Sequence, residues 1–240
     1  MHTMTSAGKK YGGITAGTFI ERPNRFIAII DIAGRKETVH VKNTGRCREL
    51  LVPGVQVYVE PAADAGRKTR WSLIAVKKGG RMVNIDSQVP NELAEKALRS
   101  GKLALPEIQG PFTLLARERT YGASRFDLYF ETLSQRGFIE VKGVTLESDG
   151  VARFPDAPTE RGTKHINELV CAVKEGYTCY VLFVIQMKGL RWFEPNVATD
   201  PAFGFALKKA WENGVKILAV DCNTENDFIE INGFVRVDLL

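Results

Sequence analysis

The sequence predicts a mixed α/β protein in which a small N-terminal β-barrel precedes a larger domain built on a mixed sheet. Short strand-like runs separated by turn residues fill the first third of the chain. After that third, helical patterns alternate with strand-like runs. We therefore expect two domains, covering residues 1–82 and 83–240.

Five strands are predicted in the first domain, because β-branched and apolar residues recur between turns rich in Pro, Gly and Asn. They are Ala16–Glu21, Arg25–Ile32, Glu37–Val41, Val55–Glu60 and Arg70–Lys77. No long helical pattern lies among them, so the core must form by packing sheet against sheet. Five short strands fit a closed barrel of the oligonucleotide/oligosaccharide-binding (OB) type, although other small barrels have the same strand count.

Three helices are predicted in the second domain, each with apolar residues three and four positions apart and a glycine after its last turn. They are Asn91–Ser100, a helix from Thr159 or Glu160 to Glu175, and Ala202–Asn213. Strand-like runs are Phe112–Glu118, Arg125–Glu131, Gly137–Lys142, Tyr177–Gln186 and Val215–Asp221. The tail, Phe228–Val237, predicts a hairpin turning at Asn232-Gly233. This order favours a mixed sheet with helices on its faces.

The basic charge of the chain is concentrated at its N-terminal end. Residues 1–80 hold 14 Lys and Arg against 6 Asp and Glu, whereas the whole chain has a net charge of only +5. This split favours nucleic-acid binding by the first domain over a basic domain that is merely soluble. The predicted contacts to nucleic acid are Arg22, Arg25, Arg35, Lys42, Arg46, Arg48, Arg161 and Lys164.

Several classes of protein are excluded or disfavoured. No apolar run approaches ~18 residues, and no apolar stretch follows the first positive charges, so neither a membrane span nor a secretory signal is expected. The four cysteines lack C-x-x-C spacing, which favours a reduced, cytoplasmic location. Neither a P-loop motif nor a Cys/His cluster with zinc spacing occurs.

Two strands of the second domain place charged side chains on matching faces. Asp127 lies within Arg125–Glu131, and Glu140 and Lys142 share one face of the next strand, since side chains alternate along a strand. If these strands form a hairpin turning near Ser134-Gln135, Asp127 lies opposite Lys142, with Glu140 one diagonal step away. Two carboxylates and an ammonium would then share one site.

Such a group suits metal-dependent hydrolysis of phosphodiester bonds. Carboxylates are ligands for Mg²⁺ or Mn²⁺, the Val141 carbonyl could add an oxygen, and Glu118 is a candidate further ligand. The cation would polarise the phosphoryl group, and Lys142 would orient water or offset developing charge. The alternative is a solvated sheet face on which alternating charges arise by chance.

A second polar stretch precedes and begins the middle helix. Thr159 is a candidate N-cap, and the following turns present Arg161 and Lys164. This face either contacts phosphate beside the metal site or is a surface face with ordinary ion pairs. His165 is expected to make a polar contact rather than act as a general base.

With these motifs in view, the chain resembles the sugar fermentation stimulation protein A family over nearly its full length. The resemblance rests on Asn43-Thr44-Gly45, Tyr121-Gly122 with Ser124–Asp127, Phe138–Leu146, Phe154–Ala157 and Thr159–Gly162. It implies an OB-like domain followed by a restriction-endonuclease-like domain whose Asp…Glu-x-Lys motif is matched by Asp127, Glu140 and Lys142. It also implies sequence-nonspecific DNA binding and a regulatory role in sugar, especially maltose, metabolism. The helix acid of such nucleases is ambiguous here, since Glu92 and Glu95 are both possible.

Three hypotheses follow. The leading one is a cytoplasmic DNA-binding protein with a metal-dependent nuclease-type site that accepts DNA, either structured or single-stranded. The second is a non-catalytic DNA-binding regulator of sugar metabolism, and the third is an RNA-processing factor, since barrels of this type accept both nucleic acids. Intact Asp127, Glu140 and Lys142 favour the enzyme.

Overall fold

The computed structural model of the chain describes residues 7–43, 45–64 and 66–239. Thr44, which belongs to one of the family-like stretches, lies outside the described residues. The helices are α1 (Val89–Arg99), α2 (Glu160–Lys174) and α3 (Pro201–Glu212). Within the described ranges, no helix is both long enough and apolar enough to cross a membrane.

Most of the chain forms β-structure. The strands are β1 (Lys9–Lys10), β2 (Thr15–Asn24), β3 (Ile27–Ile32), β4 (Arg35–Val41), β5 (Gln56–Pro61), β6 (Trp71–Lys78), β7 (Arg81–Asn84), β8 (Leu114–Tyr121), β9 (Ser124–Glu131), β10 (Arg136–Val144), β11 (Leu146–Ser148), β12 (Val151–Phe154), β13 (Thr178–Ile185), β14 (Trp192–Pro195), β15 (Lys216–Thr224) and β16 (Phe228–Val235). The five predicted barrel strands and the predicted strands of the second domain all form, with shifted ends.

The N-terminal sheet closes into the predicted five-stranded barrel. Strand β2 pairs with β3 and β5, β3 pairs with β4, and β5 pairs with β6. A parallel pairing of β4 with β6 completes the circle. Its interior is filled by inward side chains such as Ile30, Val39, Val57 and Leu73, none of which is exposed. The OB-type prediction is confirmed.

The second domain is built on a seven-stranded mixed sheet in the order β1-β16-β15-β13-β10-β9-β8. Its centre, β10-β13-β15, is parallel, and the flanking pairs are antiparallel. Alternate residues of β13 enter two separate apolar clusters, one shared with α2 and α3 and one shared with α1. Strand β13 is therefore buried on both faces, as its apolar run predicted. A small sheet, β11-β12-β14, lies beside it.

All three predicted helices form. The Thr159 hydroxyl accepts a hydrogen bond from the Gly162 N–H at 3.1 Å, so the predicted N-cap of α2 is confirmed. Helix α1 begins two residues earlier than predicted, because Pro90 suits a first helical turn. Helix α3 begins at Pro201, with Asp200 as its N-cap.

The predicted C-terminal hairpin is wrong. Strand β16 runs through Asn232-Gly233 without turning and pairs with β15 along its length. Asp221 lies opposite Gly233 and Cys222 opposite Ile231, so Asn232 is an extra, bulged residue. Its side-chain amide donates a hydrogen bond to Asp221 Oδ1 at 3.0 Å. Asn232 is therefore held by a contact to the neighbouring strand and does not form a turn with Gly233.

The path of the chain between the domains also differs from the simple division at residue 82. Strand β7 extends the barrel sheet to Asn84, whereas β1 pairs with β16 at the edge of the other sheet. Tyr11 packs in the apolar cluster beside α1, and its hydroxyl accepts from the Asn84 amide at 3.0 Å. From β1 onwards, the described chain therefore runs from the sheet of the second domain into the barrel and back.

A buried carboxylate joins the barrel to the small sheet. Glu147 on β11 contacts Lys78 and Arg81 of the β6–β7 hairpin, each at 3.0 Å, and is only 7% exposed. Burial by itself raises the pKa of Glu147, but the Gly150 N–H and the two cations outweigh that effect and lower the pKa to about 2. Ionised Glu147 therefore stabilises the contact between domains.

We predict that Glu147→Gln lowers the free energy of unfolding by about 3 kcal/mol at neutral pH, since the pKa falls from 4.5 to about 2 on folding. A lowered pKa stabilises the fold above the unfolded value of 4.5, and this contribution is lost as the pH falls towards 2. The difference from wild type should therefore shrink over that range in urea unfolding series. Glu212→Gln, at an exposed carboxylate, is the control. A deficit that does not change with pH would contradict the assignment.

Candidate active site

Strands β9 and β10 pair at one end and separate at the other, and the charged residues lie where they separate. The last described pair is Leu128 with Ile139, so the next step along the strands places Asp127 beside Glu140. The predicted register, with Asp127 opposite Lys142, is wrong by two residues. The connection turns within Thr132–Gln135, earlier than expected, as the Thr132 N–H bond to Gln135 O shows.

Asp127 fills the gap between the separating strands. Its Oδ2 accepts the Val141 N–H at 2.8 Å, and its Oδ1 accepts the side-chain amide of Asn91 at 2.7 Å. The N–H and C=O of one strand residue point to the same side, so the Val141 carbonyl also faces Asp127. Asn91, which sequence reasoning did not select, ties this carboxylate to the first turn of α1.

Glu140 is 2% exposed, and its two oxygens have different surroundings. Oε1 accepts hydrogen bonds from Lys142 Nζ at 2.5 Å and His165 Nδ1 at 2.6 Å. Oε2 is buried and has no hydrogen-bond partner among the residues that the structure describes. The far nitrogen of His165, Nε2, accepts a long hydrogen bond from Arg161 Nε at 3.5 Å, so the ring joins Arg161 to Glu140.

The electrostatics reflect two carboxylates crowded in a site shielded from water. Burial raises the pKa of Asp127 to about 6, and the nearby charge of Glu140 adds to the rise. Burial also raises the pKa of Glu140, but the hydrogen bond from His165 and the charge of Lys142 outweigh it, so that pKa lies below its ordinary value. Glu140 is thus held as an anion beside Asp127, whose ionisation is disfavoured.

The oxygen atoms of Asp127, Glu140 and the Val141 carbonyl suit a divalent cation better than they suit one another. A buried carboxylate oxygen without a partner is costly, and a cation would satisfy it. The described residues hold no group of three or more His, Cys, Asp or Glu placed to bind a metal. Two carboxylates and a carbonyl suit Mg²⁺, which keeps several waters and uses substrate phosphate as a ligand.

The other predicted acids make different contacts. Glu118 is 65% exposed and forms an ion pair with Arg125. Glu92 pairs with Lys9 and Lys96, and Glu95 pairs with Arg99 and Arg117. The helix contact to Asp127 comes from Asn91 instead.

On α2, Arg161 is exposed at the edge of the site, whereas Lys164 extends away from it. Lys164 contacts the Ala123 carbonyl at 3.3 Å and Glu168 at 3.8 Å. His165 is a site residue whose importance sequence reasoning underestimated. The sequence signal that could have indicated this role is a histidine one helical turn after Arg161.

Two of the barrel's basic residues that were predicted to contact nucleic acid have internal partners in the structure. Both terminal nitrogens of Arg22 donate to main-chain carbonyls, those of Arg25, Asn43, Gly45 and Arg46. All four of its terminal N–H groups are thereby used to hold a loop. Lys42 lies between Asp86, at 3.1 Å, and Glu60, at 3.8 Å, which neutralise its charge.

The remaining basic residues are available at the surface. Arg25, Arg46 and Arg48 are exposed and line an open cleft of about 310 Å³, which we call the arginine cleft. The Arg25 guanidinium lies over the ring of Phe26, itself 44% exposed. Arg35 is exposed at the start of β4, outside the cleft lining. An exposed aromatic ring among free guanidinium groups suits contacts with nucleotides.

Comparison with known proteins agrees with both halves of this architecture. The family model for the "Sugar fermentation stimulation protein RE domain" matches residues 88–228, and the model for the "SfsA N-terminal OB domain" matches residues 20–85. A sugar fermentation stimulation protein homolog of Alkaliphilus oremlandii is 55% identical, covering 95% of this chain and 98% of that protein. The homolog of Clostridium beijerinckii is 53% identical over 96% of this chain and all of its own length.

The fold is also found in a solved structure. The structure of Pyrococcus furiosus SfsA in complex with Ca²⁺ aligns with a TM-score of 0.85 and 31% sequence identity. The alignment covers 95% of this chain and 97% of that one. Both domains and their arrangement are therefore shared.

We predict that His165→Ala lowers the free energy of unfolding by about 2 kcal/mol, because it removes one of the two partners of a buried carboxylate. Equilibrium unfolding in urea measures the change. Asn167→Ala, on the exposed side of the same helix, is the matched control and should have little effect. Equal stability of His165→Ala and wild type would mean that the contact to Glu140 adds nothing.

Proposed function

Since the chain belongs to the sugar fermentation stimulation protein family, we propose that it binds DNA and hydrolyses phosphodiester bonds at a site formed by Asp127, Glu140 and Lys142. The observation that carries this proposal is the buried, unpartnered Oε2 of Glu140 beside a second carboxylate.

Asp127, Glu140 and the Val141 carbonyl would hold Mg²⁺ or Mn²⁺. The P. furiosus relative was solved in complex with Ca²⁺, which, like Mg²⁺, takes oxygen ligands, and this supports a divalent-cation site here. When bound, the cation would polarise the phosphoryl group and make water a better nucleophile.

The side chains of the site would divide the remaining work. His165 and Lys142 keep Glu140 ionised and fix its orientation, while Asn91 and the Val141 N–H fix Asp127. Lys142, 14% exposed, is placed to donate to the attacking water or to a phosphate oxygen. Arg161, exposed at the edge of the site, would bind a neighbouring phosphate.

DNA binding would begin at the barrel. Arg25, Arg46 and Arg48 present positive charge in the arginine cleft, and Phe26 offers a ring face for a base. This is a sequence-independent mode of binding, since phosphates and base faces are common to every sequence.

The alternative is a regulator that binds DNA without sequence preference and does not cut it. The observation that favours it is the contact of Lys142 with Glu140 at 2.5 Å, which commits one N–H of the ammonium to a carboxylate. Under this alternative the cation would only steady bound DNA.

We predict that Asp127→Ala abolishes both Mn²⁺ binding and metal-dependent cleavage. Lys142→Met should keep Mn²⁺ binding and lower the cleavage rate by about 100-fold or more. Calorimetry measures Mn²⁺ binding. The cleavage rate is measured on linear, nicked, flapped and single-stranded DNA and on RNA, with and without Mg²⁺ or Mn²⁺.

Asp227→Ala, in the turn between β15 and β16, is the control and should change neither quantity. Cation and DNA binding with no cleavage of any substrate would support the regulator. Cleavage that persists in Asp127→Ala would exclude this site.

We predict that Arg25→Ala, Arg46→Ala and Arg48→Ala each weaken DNA binding similarly for all sequences and lower the salt slope of the affinity by about one. Fluorescence anisotropy at several salt concentrations measures this slope. Arg236→Ala, 72% exposed on the second domain, is the control. An affinity that does not depend on salt would contradict binding through phosphates.

A further inference from the structure

Glu118, in the edge strand β8, has an unusual backbone conformation. Its φ is 57°, in the left-handed region that residues with a side chain rarely adopt. In the described part of the chain, five residues other than glycine have a positive φ. Four of them lie between elements, and Glu118 alone lies within a strand. The local conformation therefore departs from that of a regular strand at one point of the sheet.

This point lies opposite Asp127. Strands β8 and β9 pair Arg117 with Leu128 and Arg119 with Phe126, so the step between these two pairs sets Glu118 against Asp127. That step is missing from a ladder that is otherwise continuous from Leu114 to Tyr121. The distortion at Glu118 is therefore centred on one of the two carboxylates of the candidate site.

Both strands turn over at this step. On a regular strand, residues two positions apart share a face of the sheet. Leu128 nevertheless packs in the apolar cluster shared with α1, whereas Phe126 packs in the cluster shared with α2 and α3. On β8, Leu115 belongs to the α1 cluster, and Tyr121, six residues later, packs against the α2 cluster. Each strand has therefore exchanged its two faces.

Strand β10 keeps its regular alternation at the same level. Ile139 and Val141 both belong to the α1 cluster, and Phe138 and Val144 both belong to the α2 cluster. Of these three strands, only β8 and β9 turn over, and β9 parts from β10 just beyond Ile139, where the turn occurs.

The reversal accounts for the direction of the Asp127 side chain. A side chain on a regular strand stands above or below the sheet. Asp127 lies between two residues that face opposite clusters, and its Oδ2 reaches along the sheet to the Val141 N–H at 2.8 Å. The carboxylate thus takes the place that a main-chain carbonyl of β9 would have in a continued ladder.

The side chain of Glu118 does not explain its backbone conformation. It is 65% exposed, and its ion pair with Arg125, at 3.5 Å, is an exposed pair of the kind that contributes little. Phe126 and Leu128, in contrast, are fully buried in opposite clusters, which requires β9 to turn over between them. An unfavourable φ persists where the surrounding packing determines it in this way.

We propose that Glu118 is a positioning residue whose left-handed backbone, and not its carboxylate, turns Asp127 into the plane of the sheet, the orientation in which Asp127 would bind the cation. The inference rests on the proposed function for the cation. The orientation itself can be measured without any cation, through the Val141 N–H. The competing expectation is that the carboxylate of Glu118 is a metal ligand.

The test varies how well position 118 tolerates a positive φ. Glu118→Gly tolerates it freely, Glu118→Ala less well and Glu118→Val least, because a β-branched side chain favours the extended strand. All three substitutions remove the carboxylate. Thr120→Val, at an exposed position of β8 with an ordinary φ, is the matched control for the valine. Thermal unfolding checks that each variant folds.

The first measurement is hydrogen exchange of the Val141 amide, followed by NMR in EDTA. Glu118→Gly and Thr120→Val should keep the wild-type rate, Glu118→Val should exchange about tenfold faster or more, and Glu118→Ala should lie between. Asp127→Ala gives the rate without the contact. The Val181 amide, in the middle of β13, should exchange equally in every folded variant.

The second measurement is Mn²⁺ affinity by calorimetry, which should follow the same order. Glu118→Gly and Thr120→Val should bind as wild type does, and Glu118→Val about tenfold more weakly. If Glu118→Val does not fold, Glu118→Ala supplies the comparison with Glu118→Gly.

Three results separate the possibilities. Equal Val141 exchange in wild type and in the folded alanine and valine variants would overturn the inference. Loss of Mn²⁺ binding to the same extent in Glu118→Gly and Glu118→Val would overturn it in favour of a carboxylate ligand. Graded Val141 exchange in a protein that binds no Mn²⁺ even as wild type would sustain the positioning of Asp127 and overturn the proposed cation site.

Discussion

The buried carboxylate of Glu140 is the constraint around which the second domain is arranged. An anion in the core is costly unless it has partners, and here Lys142 and His165 meet one oxygen while the other has none. The contact to His165 fixes α2 against β10. The fold therefore carries an electrostatic cost at one atom, and such costs are common at functional sites.

The separation of β9 from β10 turns that buried anion into a site. Had the strands stayed paired beyond Ile139, a main-chain partner would occupy the Val141 N–H and no room would remain for Asp127. On its other side β10 stays paired with β13 as far as Val144, so its position is fixed. One free edge of a fixed strand therefore brings the two carboxylates close together.

The local sequence pattern was enough to predict the helices, most strands and the placement of Asp127, Glu140 and Lys142 on neighbouring strands, because periodicity and turn residues act over short distances. The register of β9 on β10 was wrong by two residues, since it depends on where the turn closes. The polar contact expected of His165 is confirmed, but neither its partner Glu140 nor the role of Asn91 was predicted, because only tertiary packing brings α1 and α2 to the strands. For the same reason, charge counting could not separate Arg22, held by carbonyls, from the exposed Arg25.

The junction between the domains connects the barrel to the catalytic carboxylate. Gln186, at the junction, donates to Asn84 Oδ1 and to the Asp86 carbonyl at 2.9 and 3.0 Å. Asp86 in turn accepts the Gln88 N–H just before α1, and the first turn of that helix presents Asn91 to Asp127. A buried, satisfied polar network is rigid, so the last strand of the barrel and the first turn of α1 are held together. The position of the barrel is therefore coupled to the position of Asp127 through this network.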